Sequence, residues 1–315
     1  FAYPYTFFHF LFKGGSEESR LKYHQFLQRM SRFLLKRVPG VRFTQSGEND
    51  FSKPSVIVAN HQSHLDLICL MALNPKLIFF TNEWVWKNPI YGYVIRKADY
   101  IPVNDGVEAH LDKIRALVER GYSLVIFPEG TRTVDGSIGR FHKGAFYLAA
   151  ELGLDITPVY IHGAYDVLPK TDFMLREGSV NVEVGPRIPC SKDYRSMTKV
   201  CHRIFVSHYA ELRRTLETPE YLSVYVRYKY LYKGADVESR CRKALARVND
   251  MAFLREVPSG NHFEIHGCGQ GEYALIFALM HPEVEVDAYD RDEDNVMLAS
   301  NISCLPANLH FHSES

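Results

Sequence analysis

The chain carries no net charge: 37 Lys and Arg stand against 37 Asp and Glu in 315 residues. Without a basic excess the electrostatic footprint of a nucleic-acid-binding protein is missing, so no nucleic-acid partner is expected. Cysteine is sparse. Cys69, Cys190, Cys201, Cys241, Cys268 and Cys304 are scattered, with no Cys-x-x-Cys pair. That spacing argues against a zinc or disulfide framework and for reduced thiols in a cytosolic setting, and no metal site is expected. No run approaches the roughly 18 apolar residues of a membrane-spanning helix. There is no internal repeat, no low-complexity tract and no Gly-x-Ser-x-Gly elbow around Ser63, which removes that serine as an acyl-enzyme nucleophile. What remains is a chain with 46% hydrophobic residues, enough for one large core or two smaller ones.

Against this background two motifs stand out. Asn60-His61-Gln62-Ser63-His64-Leu65-Asp66 offers a base with a carboxylate to orient it, and Phe127-Pro128-Glu129-Gly130-Thr131-Arg132 offers a glycine turn carrying a carboxylate and a guanidinium. With 14 His and 16 Asp, a His-x4-Asp spacing arises by chance about 0.7 times in such a chain, so the flanking sequence decides. Ser55-Val56-Ile57-Val58-Ala59 follows Pro54 and reads as a buried strand delivering His61 to its carboxyl end. Residues 65–73 read as a helix stopped by Asn74-Pro75. Residues 106–121 read as a helix, and 122–127 as an apolar strand broken by Pro128-Glu129-Gly130. Two strand-end loops bearing polar residues fit the place where open α/β sheets keep their sites. A neutral imidazole at His61 suits proton removal from a hydroxyl, and Asp66 suits fixing its tautomer and stabilising the imidazolium. Gly130 permits a tight turn, Arg132 can grip a phosphate bidentately, and Glu129 either bonds acceptor hydroxyls or braces the loop.

These segments resemble the PlsC-like lysophospholipid acyltransferases, typified by 1-acylglycerol-3-phosphate acyltransferase, over about residues 40 to 190. Residues 60–66 resemble the family's first block and 127–132 its third. Phe141-His142-Lys143-Gly144-Ala145 resembles the stretch that follows, and Ile156-Thr157-Pro158-Val159-Tyr160-Ile161 the fourth. The resemblance implies an α/β fold of the glycerolipid acyltransferase αβ-sandwich type. It also implies His61 and Asp66 as the catalytic pair, with Glu129, Gly130, Thr131, Arg132 and Lys143 at the substrate. Transfer would be direct, from an acyl-ACP or acyl-CoA thioester to a lipid acceptor's hydroxyl, in membrane lipid synthesis and with no cofactor. One block departs. Where the family commonly reads Pro-Val-Asp-Arg, with the arginine implicated in holding the acceptor's phosphate, this chain reads Pro102-Val103-Asn104-Asp105. A carboxylate repels a phosphate at close range. Two readings stay open: a shifted loop with Arg96, Lys97, Arg132, Arg140 or Lys143 holding the phosphate, or an acceptor that has an amine instead, as in a lyso-aminolipid.

Residues 1–12 are strongly aromatic and read as the interfacial end of an upstream membrane segment. Residues 17–36 read as a helix, with Phe26, Met30, Phe33 and Leu34 on one side and Arg29, Arg32, Lys36 and Arg37 near its end. Such a helix lies on an anionic membrane or packs on a core. The expected organisation is a membrane-proximal segment over 1–38, an acyltransferase domain over 39–218, a tyrosine-rich linker over 219–235 and a second unit over 236–315. The expected place is the cytoplasmic face of a membrane, peripheral or tethered by a segment outside this chain.

In the second unit, Phe263-Glu264-Ile265-His266-Gly267-Cys268-Gly269-Gln270-Gly271 reads as a strand entering a glycine-rich turn. A helix over 272–280, a strand over 284–289 ending at Asp290, a helix over 292–303 and a strand over 308–311 follow. This partial Rossmann-like βαβαβ pattern resembles the first half of a class I S-adenosylmethionine-dependent methyltransferase. The resemblance implies Glu264, Gly267, Gly269, Gly271 and Asp290 at an S-adenosylmethionine site. Two alternatives to acyl transfer follow: a methyltransferase, which binds that cofactor and cleaves no thioester, and an inactive lipid-binding part of a larger membrane protein.

Overall fold

A computed structural model describes residues 2–13, 15–48, 50–81, 83–89, 91–103, 106–170, 172, 174–256 and 258–314. The chain divides into two compact units, Phe1–Tyr209 and Ala210–Ser315.

The first unit is built on a seven-stranded sheet. Its strands are β1 (Val41–Gly47), β2 (Val56–Ala59), β3 (Leu77–Thr81), β4 (Ile101–Pro102), β5 (Ser123–Ile126), β6 (Ile156–His162) and β7 (Gly178–Val184). Their spatial order is β1-β7-β6-β2-β5-β3-β4, parallel throughout except for the antiparallel pair β6 and β7. Every residue of β2 and β6 is buried, so the centre of the sheet is covered on both faces. That burial explains why the two segments read as unbroken apolar runs rather than alternating ones.

Pro158 lies inside β6, where a missing N–H is usually disruptive. Here the Pro158 carbonyl accepts from Gly185 N–H, just beyond the end of β7, so its ring nitrogen points the same way, past the last paired residues Val159 and Val184. A Cβ on Gly185 would lie 3.0 Å from both Pro158 Cγ and the Tyr160 ring.

The helix over Glu17–Leu35 is capped by Ser16, whose hydroxyl accepts from Ser19 N–H, and carries Glu17 and Glu18 in its first turn. It packs on the core: Tyr23 and His24 are buried, and Phe26 and Leu27 lie against the same cluster. Gln28 and Arg32 donate to the carbonyls of Ala72 and Leu73. They thereby satisfy the end of the helix Leu65–Leu73, which carries Asp66. Phe33 and Leu34 stay exposed, with the Arg37 guanidinium over the Phe33 ring. The helix Ala2–Lys13 lies along it through Thr6, bonded to the Tyr23 hydroxyl, and Tyr5, stacked on Phe26. Among the described residues no helix is long and apolar enough to cross a membrane.

The second unit carries three parallel strands, β8 (His262–His266), β9 (Glu285–Asp290) and β10 (Leu309–Ser313), in the order β10-β9-β8. Helices Glu272–Met280 and Glu293–Ser300 make the crossovers. The expected linker contains a helix, Pro219–Lys229, with Thr218 as its cap and Pro219 in its first turn. Its Leu222 and Val226, with Tyr230 just beyond, enter the core of this unit. The sheet is half-buried: Phe263 and Ile265 pack on the core, while His262, Glu264, His266, Glu285, His310 and His312 are exposed. His262 and His312 both bond the Asp287 carboxylate, at 2.7 and 2.5 Å, and hold its pKa below the usual carboxylate range.

Candidate active site

Strands β2 and β5 are neighbours in parallel register, so the chain leaves both at the same edge of the sheet. This brings the His61 loop against the Glu129 loop. Beyond the end of β2 the Asn60 side chain continues the pairing with β6: its amide donates to the Ile161 carbonyl and accepts from Ile161 N–H, both at 2.8 Å. His61 follows directly on this anchor.

The His61 ring stacks on Phe127, with centroids 4.0 Å apart and planes 17° apart. Its Nδ1 lies 2.8 Å from Asp66 Oδ2. The same carboxylate oxygen accepts the N–H groups of Gln62 at 2.6 Å and Ser63 at 2.8 Å. Asp66 is fully buried, and its Oδ1 has no hydrogen-bond partner among the described residues. The opposite nitrogen of His61, Nε2, has no protein partner among them either, and the ring is 18% exposed. A hydrogen bond from Nδ1–H to Asp66 leaves Nε2 as the lone-pair nitrogen at the surface, the arrangement of a general base.

Glu129 is a brace. Its Oε1 accepts His61 N–H at 2.9 Å and its Oε2 accepts Gly139 N–H at 2.8 Å. Burial raises its pKa, partly offset by those two bonds. A Cβ at Gly139 would lie 2.7 Å from Oε2, so the N–H reaches the carboxylate because that residue is glycine. A second tie runs from Thr133 N–H to the His61 carbonyl at 2.8 Å. Gly130 has φ +70°, and a Cβ there would meet the His142 ring at 3.4 Å. His142 N–H donates to the Pro128 carbonyl, while Lys143 beside it is exposed and opens the helix Gly144–Leu152. The Arg132 guanidinium has no ion-pair partner among the described residues. It sits close enough to His64 that, after partial burial, its charge is the next cause lowering the His64 pKa. Asn104 and Asp105, where the chain departs from the family's second block, lie outside the described residues.

A third loop was not anticipated from the motifs. After β6, Gly163 turns with φ +80° into the short helix Ala164–Val167. Tyr165 N–H donates to Gln62 Oε1, the Ser63 hydroxyl donates to the Leu168 carbonyl at 2.8 Å, and Lys170 Nζ reaches Thr131 Oγ1 at 2.9 Å. Ser63 is thereby occupied as a structural donor. The sequence signal for this loop was a glycine, Gly163, directly after the buried strand β6.

In the second unit the structure brings Gly267, Gly269, Gly271 and Asp290 together. Gly267 and Gly269 have φ of +70° and +59° with open space where a Cβ would stand, whereas a Cβ at Gly271 would lie 2.7 Å from Phe311. Asp290 Oδ2 accepts Gly269 N–H at 2.7 Å and its Oδ1 accepts Asp292 N–H at 2.9 Å. Burial pushes the Asp290 carboxyl up and these bonds outweigh it, so it stays below the usual range. Glu264 is not part of this group. Three residues before Gly267, strand alternation puts it on the exposed face beside His266, and it makes no bond to the glycine loop among the described residues. The residues therefore fit an S-adenosylmethionine cradle only in part, with the loop room available and Asp290 already committed to holding the loop.

A family model described as Acyltransferase matches residues 40–162. The chloroplast 1-acyl-sn-glycerol-3-phosphate acyltransferase of Arabidopsis thaliana is 33% identical over 145 residues, 44% of this chain and 40% of that protein. The human 1-acyl-sn-glycerol-3-phosphate acyltransferase alpha is 29% identical over 164 residues, 49% of this chain and 58% of that protein. The chain thus spans well under two thirds of the length of these relatives. The crystal structure of the 1-acyl-sn-glycerophosphate acyltransferase PlsC from Thermotoga maritima superposes with a TM-score of 0.59 at 20% identity, covering 67% of this chain and 88% of that one. That likeness establishes the fold of the first unit as the acyltransferase αβ sandwich. The stretch that matches the Acyltransferase family model, residues 40–162, contains both motif loops with their braces, and over it the chain is similar to the PlsC-like lysophospholipid acyltransferases.

Proposed function

We propose that the chain transfers a fatty acyl group from an acyl-ACP or acyl-CoA thioester to the free hydroxyl of a lysophospholipid-type acceptor. One observation carries this reading: a histidine whose inner nitrogen is bonded to a buried carboxylate and whose outer nitrogen is open to solvent. His61 Nε2 takes the acceptor's hydroxyl proton as the oxygen attacks the thioester carbon. The tetrahedral adduct collapses with loss of thiolate, and the proton on the imidazolium passes to that sulfur, giving free thiol and the acyl ester. Asp66 stabilises the imidazolium while it exists. Glu129 holds the base in place through backbone bonds, and Arg132, with no ion-pair partner among the described residues, lies at the side of the site. The names of the relatives favour a 1-acylglycerol-3-phosphate acceptor. The test is incubation with labelled acyl thioester and either lysophosphatidate or a lyso-aminolipid. Labelled phosphatidate is the expected product. A product only from the aminolipid removes the phosphate acceptor, and thiol release from neither removes acyl transfer.

Lipid acceptors call for contact with a membrane surface, and the helix Ala2–Lys13 supports it. Thr6 and His9 face inward, while Phe7, Phe8 and Leu11 are 46, 54 and 61% exposed. Aromatic and leucine side chains presented together outward suit the headgroup–acyl boundary. The chain is expected to co-sediment with anionic phospholipid vesicles, and the triple variant Phe7→Ser, Phe8→Ser, Leu11→Ser to remain in the supernatant. Equal sedimentation of both proteins takes this helix out of the account.

A further inference from the structure

We propose that Lys170 acts with Arg132 as a phosphate seat beside His61. The proposal rests on the acyl-transfer reading above and adds to it a residue that the family-like motifs do not contain.

Lys170 is delivered by the third strand-end loop, which is pinned to the base loop by the Ser63–Leu168 and Gln62–Tyr165 bonds. Its ammonium donates to Thr131 Oγ1 at 2.9 Å and to the Arg132 carbonyl at 3.4 Å. Two of its three N–H donors are thus used on neutral oxygens, and the third has no partner among the described residues. Among the described residues no carboxylate pairs with it. Asp66 is committed to His61, Gln62 and Ser63, and Glu129 to two backbone N–H groups. Asp135 takes Thr133 and Ser137, and Asp172 pairs with Arg176. Among the described residues neither Lys170 nor Arg132 has an ion-pair partner. Both side chains start from this one loop contact, and an anion bound by both gains from two positive charges. The donor set, a planar guanidinium fork and a single ammonium, matches a phosphate, which offers two oxygens to the first and one to the second.

A phosphate can come from either substrate: the acceptor's phosphomonoester, or the phosphates of the coenzyme A or phosphopantetheine carrier. Steady-state kinetics with lysophosphatidate and acyl-CoA varied separately distinguish them. In Lys170→Ala the KM for one of the two rises about 10- to 100-fold, the loss of one charge-assisted hydrogen bond, while kcat changes little. Lys170→Arg restores most of that loss, which a merely structural lysine bonding Thr131 would not require. A rise in the lysophosphatidate KM assigns the seat to the acceptor, and a rise in the acyl-CoA KM assigns it to the donor. Unchanged KM values for both substrates in an active Lys170→Ala protein overturn the proposal. Should the alanine variant not fold, Lys170→Met keeps the stem and is read the same way. If the wild type cleaves no thioester, the acyl-transfer reading falls separately. The seat is then decided by inorganic phosphate, which is expected to raise the melting temperature of the wild type and not of Lys170→Ala. An equal shift in both, or none in the wild type, overturns it.

Discussion

His61→Ala lowers the rate of acyl transfer by about 10²- to 10⁴-fold, the range of a positioned base, and leaves the protein folded. The prediction separates chemistry from architecture because the loop does not hang on the imidazole. The backbone of residue 61 keeps its bonds to Glu129 and from Thr133, and Asn60 keeps its pair with Ile161. What is lost is one face of contact with Phe127 and the bond to Asp66. Asp66 retains the Gln62 and Ser63 N–H groups, so the buried carboxylate is not stripped of partners. The measurement is thiol release from an acyl thioester at saturating acceptor, with a melting curve alongside. A variant that melts like the wild type and still turns over at more than about a tenth of its rate would show that another group takes the proton.

Much of the site could be read along the chain because each motif sits at the end of a buried apolar strand. β2 and β5 fall within the runs 55–59 and 122–127, and the helix Leu65–Leu73 matches its expected span. Local signals sufficed there: Pro54 before the strand, and Asn74-Pro75 after the helix. The brace role of Glu129 was one of two open readings, and it needed Gly139, ten residues on, to be visible. Lys170 was illegible for the same reason. Its partners lie 39 and 38 residues away, and only the parallel placement of β6 beside β2 brings the loops together. The helix Glu17–Leu35 shows how one pattern serves two masters. Its basic end suggested a membrane surface, yet Arg32 turns inward to cap the helix that carries Asp66.

In the second unit the tyrosines misled. Tyr221, Tyr225 and Tyr228 suggested a connector, whereas Thr218-Pro219-Glu220 was a helix start with a cap, a first-turn proline and an acid for the dipole. The methyltransferase resemblance implies Glu264 at the glycine loop, but side chains alternate along a strand and Glu264 stands on its exposed face. The period-2 pattern from His262 to His266 was in the sequence all along. It marks a strand with one solvated face, unlike the continuous apolar strands of a parallel sheet covered on both sides.

Asp66→Asn is expected to cost activity on a scale of about 10³ to 10⁴ while changing stability little, and the two halves of that statement have different origins. The asparagine amide is the same shape. With its oxygen in the place of Oδ2 it still accepts from Gln62 and Ser63, and from His61 Nδ1. Its NH₂ then occupies the place of Oδ1, a buried position with no partner among the described residues, and an unpaired donor there is worth about 1 to 3 kcal/mol against folding. Removing a fully buried charge opposes that loss, because a carboxylate in this position is poorly solvated. Stability therefore moves little, whereas the imidazolium formed during proton transfer loses its counter-charge. Asp66→Ala provides the contrast. It leaves the Gln62 and Ser63 N–H groups without an acceptor, so it should lower the melting temperature clearly as well as the rate. Rates and melting curves for both variants test the account: an asparagine variant as active as the wild type would reduce Asp66 to a loop anchor, with no part in supporting the base.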